Sequence, residues 1–265
     1  MITLKVNQKP VTFETSIFPD KTSQVWHLNS DLFNAHYQIT FHWEGNEAEI
    51  FHLCQLVDLI RYNADDAYIH VTIPYLPFAR QDKPVSQNCT FALTTFANLL
   101  NSKKLDIVSS FDVHSNMAGK LIRNFHNTTP EMFHYTTHVK YKPDVVFYPD
   151  AGAAKRYSKA NNEIILYGEK VRNQQTGTIE GYRVCNSGLF DLQDKRVLIL
   201  DDLCDGGATF ITAAKALKEL GVKNIALCVS HGLFSKGLEE MKAAGIIEFF
   251  TTNSLITNKE GYNIL

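Results

Sequence analysis

The chain has 265 residues, 45% apolar and 20% charged, with 26 basic and 28 acidic side chains and a net charge of −2. That balance excludes a mainly disordered chain, a collagen-like repeat and a disulfide-built miniprotein. It also provides no charge excess with which to hold nucleic acid or an acidic membrane surface.

No apolar run reaches the roughly 20 residues that cross a bilayer. The first residues lack the charged-then-apolar pattern of a secretory signal. The five cysteines, Cys54, Cys89, Cys185, Cys204 and Cys228, are odd in number and form no C-x-x-C pair. They read as buried free thiols in a reducing cytoplasm, so the expected location is cytoplasmic.

The first 45 residues are rich in Thr, Val, Phe and Trp with short alternations and read as strands and loops. Residues 47–62 carry Ile50, Phe51, Cys54, Val57, Leu59 and Ile60 mostly at three- and four-residue steps, the pattern of an amphipathic helix. From there strands and helices alternate. Strands are expected at 68–73, 105–111, 144–148, 163–166, 195–200, 224–230 and 247–251. Helices are expected at 86–100, 116–124, 151–159, 208–220 and 237–244. This order predicts an α/β protein with parallel sheets covered on both faces. Residues 126–130, polar, ending in Pro130 and near the middle of the chain, read as the domain boundary, which divides the chain into domains at 1–130 and 131–265. In such sheets ligands bind beyond the carboxyl ends of the strands.

Residues 197–209 carry the sharpest signal. The apolar run Val197–Leu200 delivers Asp201 and Asp202, then the small-residue loop Asp205-Gly206-Gly207, then Ala208 and Thr209 at the start of a helix. Two glycines let the backbone turn tightly and present successive N–H groups to an anion. A helix N-terminus adds partial positive charge, and Thr209 adds a hydroxyl. A phosphate monoester suits such a loop, while carboxylates suit sugar hydroxyls. The plain alternative is a strand–helix turn with an Asp cap.

Four more segments follow expected strands. Residues 74–83 end in Arg80-Gln81-Asp82-Lys83, and Arg80 offers a planar fork for phosphate or for a base. Residues 110–115 contain Asp112 and His114. Residues 147–156 read Phe-Tyr-Pro-Asp-Ala-Gly-Ala-Ala-Lys-Arg, with Asp150 a reasonable Mg²⁺ anchor beside a glycine turn. Lys170 and Arg172 sit on alternate residues before a polar stretch at 174–178, which reads as a flexible loop able to close over a polyphosphate. Taken singly, each has a bland reading: a solvated charge run, a structural histidine, a cap, surface cations.

Taken together and in order, these segments resemble the ribose-phosphate diphosphokinase family, from about residue 71 to about residue 253. Residues 201–209 are similar to the phosphoribosyl diphosphate motif of type I phosphoribosyltransferases. Residues 74–83 are similar to P-Y-x-x-Y-A-R-Q-D-K, residues 112–114 to D-x-H, residues 149–156 to P-D-x-G-x-x-K-R, Lys170 to Arg172 to K-x-R, and residues 230–235 to T-H-G-x-F-S. Two phosphoribosyltransferase-like domains follow from the resemblance, each a mainly parallel sheet flanked by helices.

It further implies Mg²⁺-dependent transfer of diphosphate from ATP to O1 of ribose 5-phosphate. Arg80, Gln81, Asp82, Lys83 and His114 would bind ATP. Asp201, Asp202, Asp205, Gly206, Gly207, Ala208 and Thr209 would bind ribose 5-phosphate. His114 and Asp150 would place the metal, and Lys170 and Arg172 would be catalytic. The family forms dimer-based homo-oligomers, often hexamers.

The sequence departs from the family at several points. Only Phe18-Pro19-Asp20 remains of an N-terminal F-x-D/N-G/Q-E segment, and the chain passes from Lys83 almost directly to Pro84-Val85-Ser86, where members have a longer charged loop. Gly206 stands where Thr is usual and Ala208 where Gly is usual. The chain is some tens of residues shorter than typical members, mostly at the termini. Two rival readings are a phosphoribosyltransferase acting on a nucleobase and a non-catalytic regulatory subunit of a synthetase. The first explains residues 197–209 alone. The second is at odds with the intact D-x-H and K-x-R.

Overall fold

The computed structural model describes residues 1–28, 35–158, 165–172, 179–255 and 261–265, with the side chains of residues 171, 172, 179 and 180 left aside. The chain divides into two units, Met1–Thr129 and Pro130–Leu265.

The first unit holds β1 (Ile2–Val6), β2 (Lys9–Val11), β3 (Glu14–Ile17), β4 (Ser23–Trp26), β5 (His36–Phe41), α1 (Ala48–Asn63), β6 (Tyr68–Ile73), α2 (Ala92–Ser102), β7 (Ile107–Phe111), α3 (Met117–Leu121) and β8 (Phe125–Thr128). Six strands form one sheet in the order β2-β1-β5-β6-β7-β8, and β3 and β4 make a separate hairpin. Strands β5 to β8 run parallel, while β1 is antiparallel to both β2 and β5.

Each step from β5 to β8 moves one place in the same direction along the sheet. Right-handed crossovers taken in one direction put their helices on one face. The core accordingly joins Ile39, Ile69, Val71 and Ile73 of the strands to Leu53, Leu56, Val57 and Ile60 of α1 and Leu93, Phe96 and Leu100 of α2. The opposite pleat carries Gln38, His70, Thr72 and Ser109, which are exposed or half-buried. This corrects the expectation of helices on both faces: β6 alternates apolar and polar because, among the described residues of this unit, helices lie against one face only.

The second unit holds α4 (Glu131–Tyr141), β9 (Val145–Tyr148), α5 (Ala151–Tyr157), β10 (Leu166–Arg172), β11 (Ile179–Cys185), a short 3₁₀ turn (Ser187–Leu189), β12 (Arg196–Cys204), α6 (Ala208–Glu219), β13 (Asn224–Gly232), α7 (Glu239–Ala243), β14 (Ile246–Thr251) and β15 (Asn263–Ile264). The sheet order is β11-β10-β9-β12-β13-β14-β15, parallel throughout except for the β10–β11 pair.

Here β9 leads outward to β10, whereas β12 leads the other way to β13 and β14. The winding reverses between β9 and β12, so helices cover both faces. Phe210, Leu217 and Met241 of α6 and α7 pack with Val197, Ile199 and Leu227 on one face. On the other, Thr137 of α4 meets Cys228 at 3.5 Å, and Tyr141 packs edge-on to Phe250. With both faces covered, β12 and β13 are nearly continuous apolar runs. The crevice outside such a reversal is where open α/β sheets bind ligands.

Several sequence expectations change. Helix α2 begins at Ala92 rather than 86, because Ser86 Oγ accepts from the Asn88 amide and turns the chain there. Residues 126–130 contain the division between the two units, at Thr129/Pro130, and most of them belong to β8, the edge strand. Helix α4 carries little amphipathic contrast and escaped the sequence reading. Residues 168–172 do not form a loop but extend β10, paired antiparallel with β11, which was also missed. The polar stretch 174–178 lies outside the described residues, as do 159–164, where the end of one expected helix and the start of one expected strand fall. All five cysteines are free, but Cys89 is exposed and Cys185 half-exposed rather than buried.

Candidate active site

The loop after β12 is built to leave backbone N–H groups open. Gly207 caps α6 with φ +78°, and a Cβ there would stand 2.7 Å from Met241 Sδ, so this position requires glycine. The first intrahelical bond of α6 runs from Ile211 N to Gly207 O at 2.9 Å, and the N–H groups ahead of it have no helical carbonyl to reach. The loop is held from beside: Cys204 O accepts from Leu233 N at 2.8 Å and Phe234 N at 3.2 Å, and Ser235 Oγ donates to Asp205. Burial pushes the Cys204 thiol up to about 12, so it stays a neutral packing group. Lys170 reaches across from β10 and donates from Nζ to Thr209 Oγ1 at 3.2 Å. Arg172 closes β10; its side chain lies outside the described ones.

Asp201 and Asp202 are the sixth and seventh residues of β12. Successive strand side chains point to opposite faces, which separates two acids that the sequence places together. Asp202, 5% exposed, pairs with Arg156 of α5, Oδ2 to Nη1 at 3.0 Å. Burial works against a charged Arg156, but the Asp202 carboxylate and the Tyr157 hydroxyl more than offset it and raise the pKa of Arg156. Asp201 accepts from the Asp202 amide at 2.9 Å and has no cation paired with it among the described residues. Burial first, and the Asp202 carboxylate second, push Asp201 well above the usual carboxylate range.

Asp150 follows β9 and caps α5, its Oδ1 accepting from Ala153 N at 2.8 Å. Beside it Tyr182 of β11 donates to Pro149 O at 2.8 Å. Burial raises the Tyr182 pKa, and the Asp150 and Asp201 carboxylates raise it further, so both acids act on this one hydroxyl. Gly168 makes the approach possible: a Cβ there would lie 1.8 Å from Tyr182 Oη. Asp150, Asp201, residues 205–209 and Lys170 thus gather at the strand ends around the β9–β12 reversal.

In the first unit, residues 74–83 leave the carboxyl end of β6. Leu76 and Ala79 are buried, and Phe78, at φ +64°, packs against Trp43 and Phe96. This anchor leaves Arg80, Gln81 and Lys83 exposed and Asp82 half-buried, and Arg80 and Lys83 form no ion pair among the described residues. His114 is half-buried beyond the end of the neighbouring parallel strand β7. It follows Asp112, which has φ +41° and whose amide donates to Thr128 O. The segments 80–83 and 112–114 therefore leave adjacent strands at the same end of the sheet.

Sequence reasoning assigned no role to Arg156, Tyr182 or Lys236. Arg156 lay within a recognised segment, but a lone cation gives no sign of its partner, and Tyr182 carried no signal. His231 is 3% exposed and bonded through Nδ1 to Ser254 Oγ at 2.7 Å, so it is built into the frame beneath the loop. Among the described residues no three His, Cys, Asp or Glu side chains form a ready metal cage. No described helix is long and apolar enough to cross a membrane.

Residues 117–262 match the phosphoribosyl transferase domain model, more than half of the chain, and the chain belongs to that family. Within it, the chain is similar to ribose-phosphate pyrophosphokinases. It is 29% identical to the Corynebacterium efficiens enzyme over 210 residues, 74% of this chain and 62% of that protein. It is 26% identical to the Campylobacter jejuni enzyme over 220 residues, 80% of this chain and 68% of that protein. The chain thus spans about two thirds of the length of these relatives. The crystal structure of phosphoribosylpyrophosphate synthetase from Mycobacterium smegmatis has the same fold, with a TM-score of 0.78 at 19% identity over 96% of this chain and 86% of that one.

Proposed function

We propose that this chain transfers the diphosphate of ATP to ribose 5-phosphate, giving phosphoribosyl diphosphate and AMP. The sugar's O1 attacks the β-phosphorus, its bond to the α-phosphate oxygen breaks, AMP departs with that oxygen, and the O1 proton is released. Positioning and charge neutralisation dominate such a transfer. The observation that carries the reading is the Lys170–Thr209 contact, which sets the cation of the K-x-R pair on the glycine loop.

Residues 205–209 take the 5-phosphate on open amides and the Thr209 hydroxyl. Asp201 takes the sugar hydroxyls. Asp202 stands behind it on Arg156, a narrower part than the shared hydroxyl contact expected from sequence. Lys170 and Arg172 stabilise charge on the transferred group. Arg80, Gln81, Asp82, Lys83 and His114 take ATP, so the first unit handles the nucleotide and the second the sugar.

Mg²⁺ is a hard cation that accepts one or two carboxylates together with substrate phosphates. Asp150, whose capping bond commits one oxygen and which shares the Tyr182 surroundings with Asp201, fits that requirement. His114 would act through a bound water. When bound, the metal neutralises phosphate charge. A cytoplasmic, dimer-based homo-oligomer completes the proposal, and light scattering reads the assembly.

Phosphorus NMR of the protein with Mg²⁺, ATP and ribose 5-phosphate tests the reading. AMP appearing with a sugar-linked diphosphate signal is expected; unchanged ATP with folded protein overturns it. The family match alone also accommodates a phosphoribosyltransferase, which would leave ATP intact and need a nucleobase. Within the first reading, Lys170→Ala is expected to lower kcat by about 100-fold or more, as loss of a transition-state charge partner does. Near-normal turnover would remove Lys170 from catalysis.

A further inference from the structure

A cation outside every recognised segment lies on the phosphate loop. Lys236 sits in the turn between β13 and α7, and its stem runs along Gly206. A Cβ on Gly206 would stand 3.3 Å from Lys236 Cδ, 3.4 Å from Cε and 3.5 Å from Cγ. The ammonium, one bond beyond Cε, is therefore beside the loop.

The turn that carries Lys236 is fixed. Phe234 is buried and stacks on Tyr262 at 5.2 Å, its amide donates to Cys204 O, Ser235 Oγ donates to Asp205, and Gly237 N donates to Phe234 O at 2.8 Å. Asp205 is engaged with Ser235, and Glu239 with Lys242 at 2.9 Å. Lys236 forms no ion pair among the described residues. Glycine at 206 leaves the groove that the lysine stem fills; a side chain there would crowd it.

We infer that Lys236 is a specificity-determining residue that clamps the 5-phosphate of the sugar substrate against the open amides of residues 205–209. This deepens the proposed function and rests on it. A charged donor on a dianionic phosphate adds a strong, charge-assisted hydrogen bond that a phosphate-free sugar cannot use.

Calorimetric titration of ribose 5-phosphate and of ribose into the parent protein, Lys236→Met and Lys236→Arg tests this without ATP. Ribose 5-phosphate should bind Lys236→Met about tenfold or more weakly than the parent. Lys236→Arg should recover most of that loss because the charge is kept, and ribose should not distinguish the three. The exposed position of Lys236 leaves the fold intact, which a melting curve checks. Equal affinity of the parent and Lys236→Met for ribose 5-phosphate overturns the inference alone and leaves the proposed reaction standing. An equal loss for ribose also overturns it, since the effect would not be on phosphate. A parent protein that binds no ribose 5-phosphate overturns the inference, and the phosphorus NMR experiment decides the proposed reaction separately.

Discussion

Asp201 and Asp202 are adjacent and chemically identical, yet their surroundings differ. Asp202 has Arg156 at 3.0 Å; Asp201 has burial and a neighbouring carboxylate, both of which disfavour its charge. An acid whose pKa is higher in the folded than in the unfolded state favours folding while protonated. That contribution is lost as pH rises through the folded pKa. Asp201→Asn is therefore expected to melt above the parent at neutral pH, with the gap closing as pH falls toward the ordinary carboxylate range near about 4. Melting curves across that range check the sign; a gap that grows on acidification would contradict it. The same variant should lose affinity for ribose 5-phosphate, because an amide nitrogen replaces one of the two carboxyl oxygens offered to the sugar hydroxyls.

Among the elements, the β10–β11 pair departs furthest from what the residues announced. Lys170 and Arg172 are on a strand, so the cation facing the loop is set by strand register and not by closure of a flexible segment. Gly168 holds this ribbon close to the β9–α5 turn, where the Tyr182 hydroxyl bonds Pro149 O. Gly168→Ala would force Tyr182 or the ribbon to move and is expected to destabilise the protein by about 1–3 kcal/mol, the usual cost of overpacking. Urea unfolding measures it. The same variant should lower kcat by displacing Lys170 from Thr209. Loss of neither stability nor turnover would show that the approach is loose. The hairpin was illegible because residues 179–185 mix Glu, Tyr and Arg with Ile and Val and carry no clean alternation. Helix α4 was missed for a related reason: Met132, Tyr135 and Val139 are exposed, so apolar residues appear on more than one side.

At the scale of the whole molecule, the two units differ in how they wind. The first advances in one direction and leaves one polar sheet face. The second reverses between β9 and β12 and makes a crevice there. If the nucleotide belongs to the first unit and the sugar to the second, variants in each should give different kinetic signatures. Arg80→Ala is expected to raise KM for ATP by about tenfold, as removal of a charged hydrogen-bond donor does. Its binding of ribose 5-phosphate without ATP should be unchanged. A rise confined to the KM of ribose 5-phosphate would reverse the assignment.

The alternation of most strands and helices, the apolar character of β12 and β13, and the glycine loop with its two acids were legible in the sequence alone, because each depends on neighbours in the chain. Hydrophobic period and backbone freedom at Gly206 and Gly207 need no distant partner to be read. What only the tertiary structure decided was which groups meet: Asp202 with Arg156, Lys170 with Thr209, Tyr182 with Pro149, and Lys236 along Gly206. Those pairs join strands, helices and turns separated by 30 to 46 positions in the chain. Sheet order and crossover direction bring them together, and no local pattern of residues encodes that.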